Sequence, residues 1–351
     1  MDVHIDFPLL KKLSETGGVS GFEDRVRALV SEEIAPYVDE LRTDNMGNLI
    51  AFRKGFSGEN KKIAVEAHID EIGFIATYID DKGFVKFETL GGFDPKTLTA
   101  QRVILHGKKD LLGIMGTKAI HMMSPEERNK PAKIEDYFID LGLPKEEVLK
   151  YIEVGTPITR ERELAEMGNC ITGKSLDNRI SVYILIEMLK NLEKTPYDLY
   201  AVFSVQEEVG IRGANVAAHH INPDFGICID VTIANDTYGA SPVDYVTQLG
   251  KGAAIKIIDG GTICDKRMTD FLKLTADRDG ITWQPELMTK GGTTTSALQR
   301  YGEQGAIAGG ISIPTRYLHQ VTETVHKEDV VNCIKLLTSA VETADKYHWT
   351  R

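Results

Sequence analysis

Acidic residues and histidines stand at the ends of apolar, strand-like stretches in this 351-residue chain. His68-Ile69-Asp70-Glu71 follows IAVEA, and Asp177-Asn178 precedes a helix-like run. Glu207-Glu208 follows YAVFSV and runs into Gly210, Asp230 closes FGICID, and His319 follows Pro314-Thr315-Arg316-Tyr317-Leu318. Imidazole nitrogen with carboxylate oxygen suits a borderline-soft divalent ion. Two such ions, ~3.5–4 Å apart, need a carboxylate that touches both. Two histidines and three carboxylates, one of them shared, give each ion three protein ligands and leave room for a water. A further carboxylate must stay off the ions to act as general base. Glu207 and Glu208 supply that division, because successive residues point different ways. His219-His220 reads as the end of a surface helix before Asn222-Pro223, and His121 and His326 as structural or solvated. No G-x-G-x-x-G follows a strand and no G-x-S-x-G is present, so neither a nucleotide fingerprint nor a serine nucleophile elbow competes.

For these residues to meet, the strands that carry them must end on one rim of a sheet. The chain has the texture to build one. Tyr197–Val205 and Phe225–Val231 read as buried strands, Asn178–Leu192 and Lys327–Tyr347 as apolar-periodic helices. Alternation of the two argues for a largely parallel sheet covered on both faces. Upstream, Phe22–Val38 reads as a helix, with Ser20 and Glu23 spaced as a capping box. Leu41–Phe52 reads as a hairpin around Asp44–Asn48. From Ile72 to Met167 the segments FIATYID, GFVKFETL, QRVILHG and LLGIMGT alternate with period two between turn signals, and Ser124–Tyr151 holds one or two short helices. The fold class is therefore α/β: a mostly parallel mixed sheet flanked by helices, over residues 1–71 and 168–351, interrupted by a smaller β-rich insertion over 72–167.

Composition narrows the partners. The net charge is −11, which lacks the basic footprint of a nucleic-acid binder and is repelled by anionic membranes. No apolar run approaches the ~20 residues that span a bilayer, and MDVHIDFPLLKKL has no signal-peptide stretch. Cys170, Cys228, Cys264 and Cys333 are far apart and read as free thiols, which points to the cytoplasm.

Five motifs together carry a resemblance. EAHIDEIGF (Glu66–Phe74), GKSLDNR (Gly173–Arg179), VQEEVGIRGA (Val205–Ala214), ICIDVT (Ile227–Thr232) and IPTRYLH (Ile313–His319) occur in order over nearly the whole chain. The chain resembles the M42 metallo-aminopeptidases, whose glutamyl, lysyl and leucyl members assemble as tetrahedral dodecamers. The resemblance implies two divalent ions per subunit (Zn, Co or Mn): His68 and Asp230 on one, Glu208 and His319 on the other, Asp177 bridging both. It implies Glu207 as the general base that activates a metal-bridging water, and Asp70 as the partner that orients the His68 imidazole. It also implies peptide substrates, loss of N-terminal residues, and an insertion that dimerises, with dimers joining into a dodecamer. Three positions depart from the family pattern: Thr294 where an Asp is common, Gln320 after the last histidine, and Ser181 after the Asp-Asn-Arg turn. They leave two competing readings: a dinuclear deacylase or carboxypeptidase on the same rim, and a non-catalytic assembly protein that keeps the fold.

Overall fold

A computed structural model describes residues 3–350. The strand Lys62–His68 is the centre of the molecule. It pairs in parallel with Asp198–Ser204 on one side and with Phe225–Ile233 on the other. Phe225–Ile233 pairs in parallel with Ile307–Arg316. These four strands are buried almost end to end, as their Val, Ile and Ala content demands. Eleven strands make up the whole sheet. It is parallel at this centre and antiparallel toward both edges, through Glu40–Thr43 and Leu49–Arg53 at one end and Glu323–His326, Cys170–Gly173 and Ala165–Met167 at the other. The Asp44–Asn48 turn shows why: a connection this short allows only antiparallel pairing. Asp44 Oδ1 accepts from the N–H groups of Met46, Gly47 and Asn48 and fixes the turn.

The helical run Leu176–Asn191 is buried on nearly all sides between the sheet and the Lys327–Glu342 helix. The last helix ends at Glu342, and Ala344–Lys346 continues as a single 3₁₀ turn. The early helix spans Asp24–Ile34 and does not carry the expected capping box. Ser20 Oγ donates instead to Asp70 Oδ2 at 2.5 Å, and the Glu23 carboxylate accepts from the N–H groups of Gly21 and Gln206. Asp70 is fully buried, and a buried carboxylate needs such a donor.

A closed six-stranded barrel forms a second core. Its strands run from Gly73–Ile79 to Pro157–Arg160, with the short helices Pro125–Arg128 and Lys145–Val148 among them. Ala165–Met167 lies within the range expected for the insertion, but pairs with the large sheet.

Arg179 ties the buried helical run to the N-terminal segment and to the turn after the central strand. It is fully buried and donates to the carbonyls of Leu13, Thr16 and Ile69, with Glu71 at 3.5 Å. Glu71 also holds Lys174 at 2.7 Å and Ser175. Arg179→Met should therefore destabilise the fold by about 3–5 kcal/mol, because it leaves three carbonyls without their donor and removes one of the two cations facing the buried Glu71 carboxylate. A lower urea midpoint at unchanged m-value would show it, and a shift below 1 kcal/mol would contradict the role.

Candidate metal centre

The carboxyl ends of the central strands bring the acids and histidines together. His68 is the last residue of its strand, and Asp230 sits near the end of the neighbouring one. Asp177 precedes the regular part of its helix, at φ −76° and ψ 104°, and the Asp177–Asn178 peptide is cis. Asn178 Nδ2 donates to the Ile229 carbonyl, which ties this turn to the strand of Asp230. Glu207, Glu208 and His319 come from loops. Ser175, Gln206 and His319 have φ of +56°, +55° and +60°, a region non-glycine residues avoid. All three lie at or beside the acid–histidine cluster, where surrounding contacts sustain such backbone.

Asp177 is the hub. Its Oδ1 lies 3.3 Å from His68 Nε2, and its Oδ2 lies 3.4 Å from His319 Nε2. Asp230 Oδ1 is 3.8 Å from His68 Nε2, and Glu208 Oε2 is 3.5 Å from His319 Nε2. Two groups result, His68–Asp177–Asp230 and Asp177–Glu208–His319, each with its ligand atoms within 4.8 Å of one another. Ligands ~2.0–2.1 Å from a tetrahedral ion stand about 3.3–3.4 Å from each other, so the spacing fits one ion per group. Glu208 Oε1 is buried without a hydrogen-bond partner, as a ligand atom for a cation would be. Glu207 belongs to neither group; its Oε2 is 4.0 Å from His68 Nε2.

The tautomers follow from the partners. His68 Nδ1 faces the Asp70 carbonyl at 3.1 Å and the Asp70 carboxylate at 3.4 Å. His319 Nδ1 faces the Gly92 carbonyl at 2.9 Å. A carbonyl only accepts, so Nδ1 carries the proton in both rings and Nε2 is left to ligate.

Burial and mutual repulsion shape the charges. Burial raises Glu208 to about 8, with the Asp177 charge adding to it. Burial likewise raises Asp230 to about 8 and Glu207 well above the usual carboxylate range. Burial would depress His319, but Asp177 and Glu208 outweigh it and lift the imidazole to about 10. Burial opposes the charge of Asp177 as well, yet the two histidines hold it low. The cluster is short of positive charge, which divalent cations supply.

Sequence reasoning missed the residues that hold this geometry from behind. Glu323 accepts from the N–H of Asp177 at 2.9 Å and of His319 at 3.0 Å, so one buried carboxylate sets two of the candidate ligands. An acid opening the short strand Glu323–His326, ahead of the β-branched Thr324 and Val325, was the one signal for it. Asp70 does more than orient His68. Its two oxygens accept from the N–H of Glu207 at 2.9 Å and of Glu208 at 3.2 Å. Thr294 is fully buried and donates to the Glu66 carboxylate.

The chain matches the model of the M42 glutamyl aminopeptidase family over residues 47–336 and belongs to that family. It is 32% identical to the lysyl aminopeptidase of Pyrococcus furiosus, over 96% of this chain and 97% of that one. The fold superposes on aminopeptidase APDkam598 from the archaeon Desulfurococcus kamchatkensis with a TM-score of 0.92 and 39% identity, over 95% and 94% of the two chains. It also superposes on the Pyrococcus horikoshii TET1 peptidase, which assembles into a tetrahedron or a large octahedral shell, with a TM-score of 0.85 and 30% identity over 95% and 98%. The chain is a metal-dependent aminopeptidase.

Proposed function

We infer that the enzyme releases N-terminal residues from peptides with two divalent ions, Zn, Co or Mn, at the two groups that share Asp177. The observation that carries this reading is the division of the Asp177 oxygens between His68 and His319. Bound ions would supply a Lewis acid for the scissile carbonyl and lower the pKa of a water toward ~7. Glu207 takes the proton of the attacking water and returns it to the leaving amine. A cavity of about 390 Å³ ends on these carboxylates. A cationic peptide N-terminus entering it meets negative charge, which suits an exopeptidase. Val231, Ile233, Met288 and Leu318 line the cavity beside the acids and offer the leading side chain an apolar wall.

Chelation should abolish hydrolysis of aminoacyl anilides, and Zn²⁺, Co²⁺ or Mn²⁺ should restore it at two ions per subunit. Full activity in protein shown metal-free by elemental analysis would refute this reading.

Assembly belongs to the same reading. The barrel exposes Leu112, Ile114, Ile120 and Met122, an apolar surface suited to a dimer contact. Light scattering should give a dimer or a dodecamer, and a monomer at every protein concentration would exclude both. A cytoplasmic location is supported by four free cysteines, three of them buried. Among the described residues no helix is long and apolar enough to cross a membrane. With 52 acidic against 41 basic residues, nucleic acid is not among the partners in this reading.

A further inference from the structure

The barrel reaches the metal centre at His319 through two hydrogen bonds. The Gly92 carbonyl accepts from its ring, and Arg160 Nη1 donates to its main-chain carbonyl at 2.9 Å. Arg160 closes the last barrel strand and takes no part in the roles described so far. Its side chain is buried, and its Nε and Nη2 have no hydrogen-bond partner. Its guanidinium lies over Phe93, 5.4 Å from the ring centre, and Phe93 stacks on Phe74 at 4.6 Å. Phe74 is a core residue of the barrel.

A buried cation with unused donors is costly to keep. Arg160 directs its one hydrogen bond to the backbone of a residue held at φ +60°. His319 is therefore fixed from three sides: Glu323 on its N–H, Arg160 on its carbonyl, Gly92 on its imidazole. Two of the three come from the barrel. We propose that Arg160 is a positioning residue for the Glu208–His319 metal position, so that the barrel core sets how tightly that one position binds its ion. This rests on the two-ion reading above.

Altering outer partners of metal-binding histidines typically costs ~10–100-fold in metal affinity. Apo-protein titrated with Zn²⁺ should show Arg160→Met filling one position as wild type does and the other about 10–100-fold more weakly. Arg160→Lys retains a donor for the His319 carbonyl and should recover part of the loss. A merely structural arginine would not weaken one position selectively. If Arg160→Met does not fold, Gly92→Val decides. A Cβ at Gly92 stands 3.6 Å from His319 Nδ1, already in contact, so the added methyl groups of valine crowd the barrel side of the ring. It should weaken the same position. Wild-type binding of both ions by the folded variant, or equal weakening at both positions, would overturn the proposal. Wild-type protein that binds fewer than two ions would instead overturn the two-ion reading.

Discussion

Glu207→Gln should keep both ions and lose about 10²–10⁴-fold in kcat, the usual worth of a general base. The amide fills the same space and can hydrogen-bond water, but it cannot accept the proton. The Glu207 carboxylate belongs to neither ligand group, and its backbone is held by Asp70, so the substitution leaves the ligand set in place. Glu208→Gln provides the contrast. Glu208 faces His319, so its loss should appear first as weaker metal binding and only then as a slower reaction. Metal content measured beside kcat separates the two. A Glu207→Gln enzyme with wild-type kcat at full metal occupancy would remove Glu207 as the base, and Asp70 would be the next carboxylate to test.

Asp177→Asn should be the most damaging change to the metals. An asparagine offers one oxygen where two are used, and its –NH₂ would face the Nε2 of one histidine. Both positions should weaken, each by more than the ~100-fold that an outer partner can cost. Activity at micromolar Zn²⁺ should fall to background. The fold should survive, since the Asp177 N–H still reaches Glu323 and Asn178 still reaches Ile229. Elemental analysis after buffer exchange tests this. Retention of two ions per subunit would show that Asp177 does not bridge.

The candidate ligands were legible because each lies near the end of, or just outside, an element that the apolar pattern marks. His68 closes a buried strand, Asp230 stands in the last half of another, and Glu207-Glu208 follows a third into glycine. What was not legible acts through contacts that no local sequence pattern announces. Glu323, Arg160 and Gly92 touch main-chain or ring atoms of His319, and no spacing rule connects them. Ser20 misled for a related reason. Its distance to Glu23 matches a helix cap, while its partner, Asp70, is fifty residues away. The edge of the barrel was blurred because Ala165–Met167 has the same short-strand texture whichever sheet it joins.

The parallel centre of the sheet has a consequence for how the enzyme is born. His68 and His319 lie at the two ends of the site's sequence, and the strand that leads to His319 enters the sheet late. A ribosome adding ~5–20 residues per second takes on the order of 10–50 s to travel between them. Throughout that interval the emerging polypeptide holds His68 but lacks His319, so the two groups that share Asp177 cannot both be complete before the last strands are made.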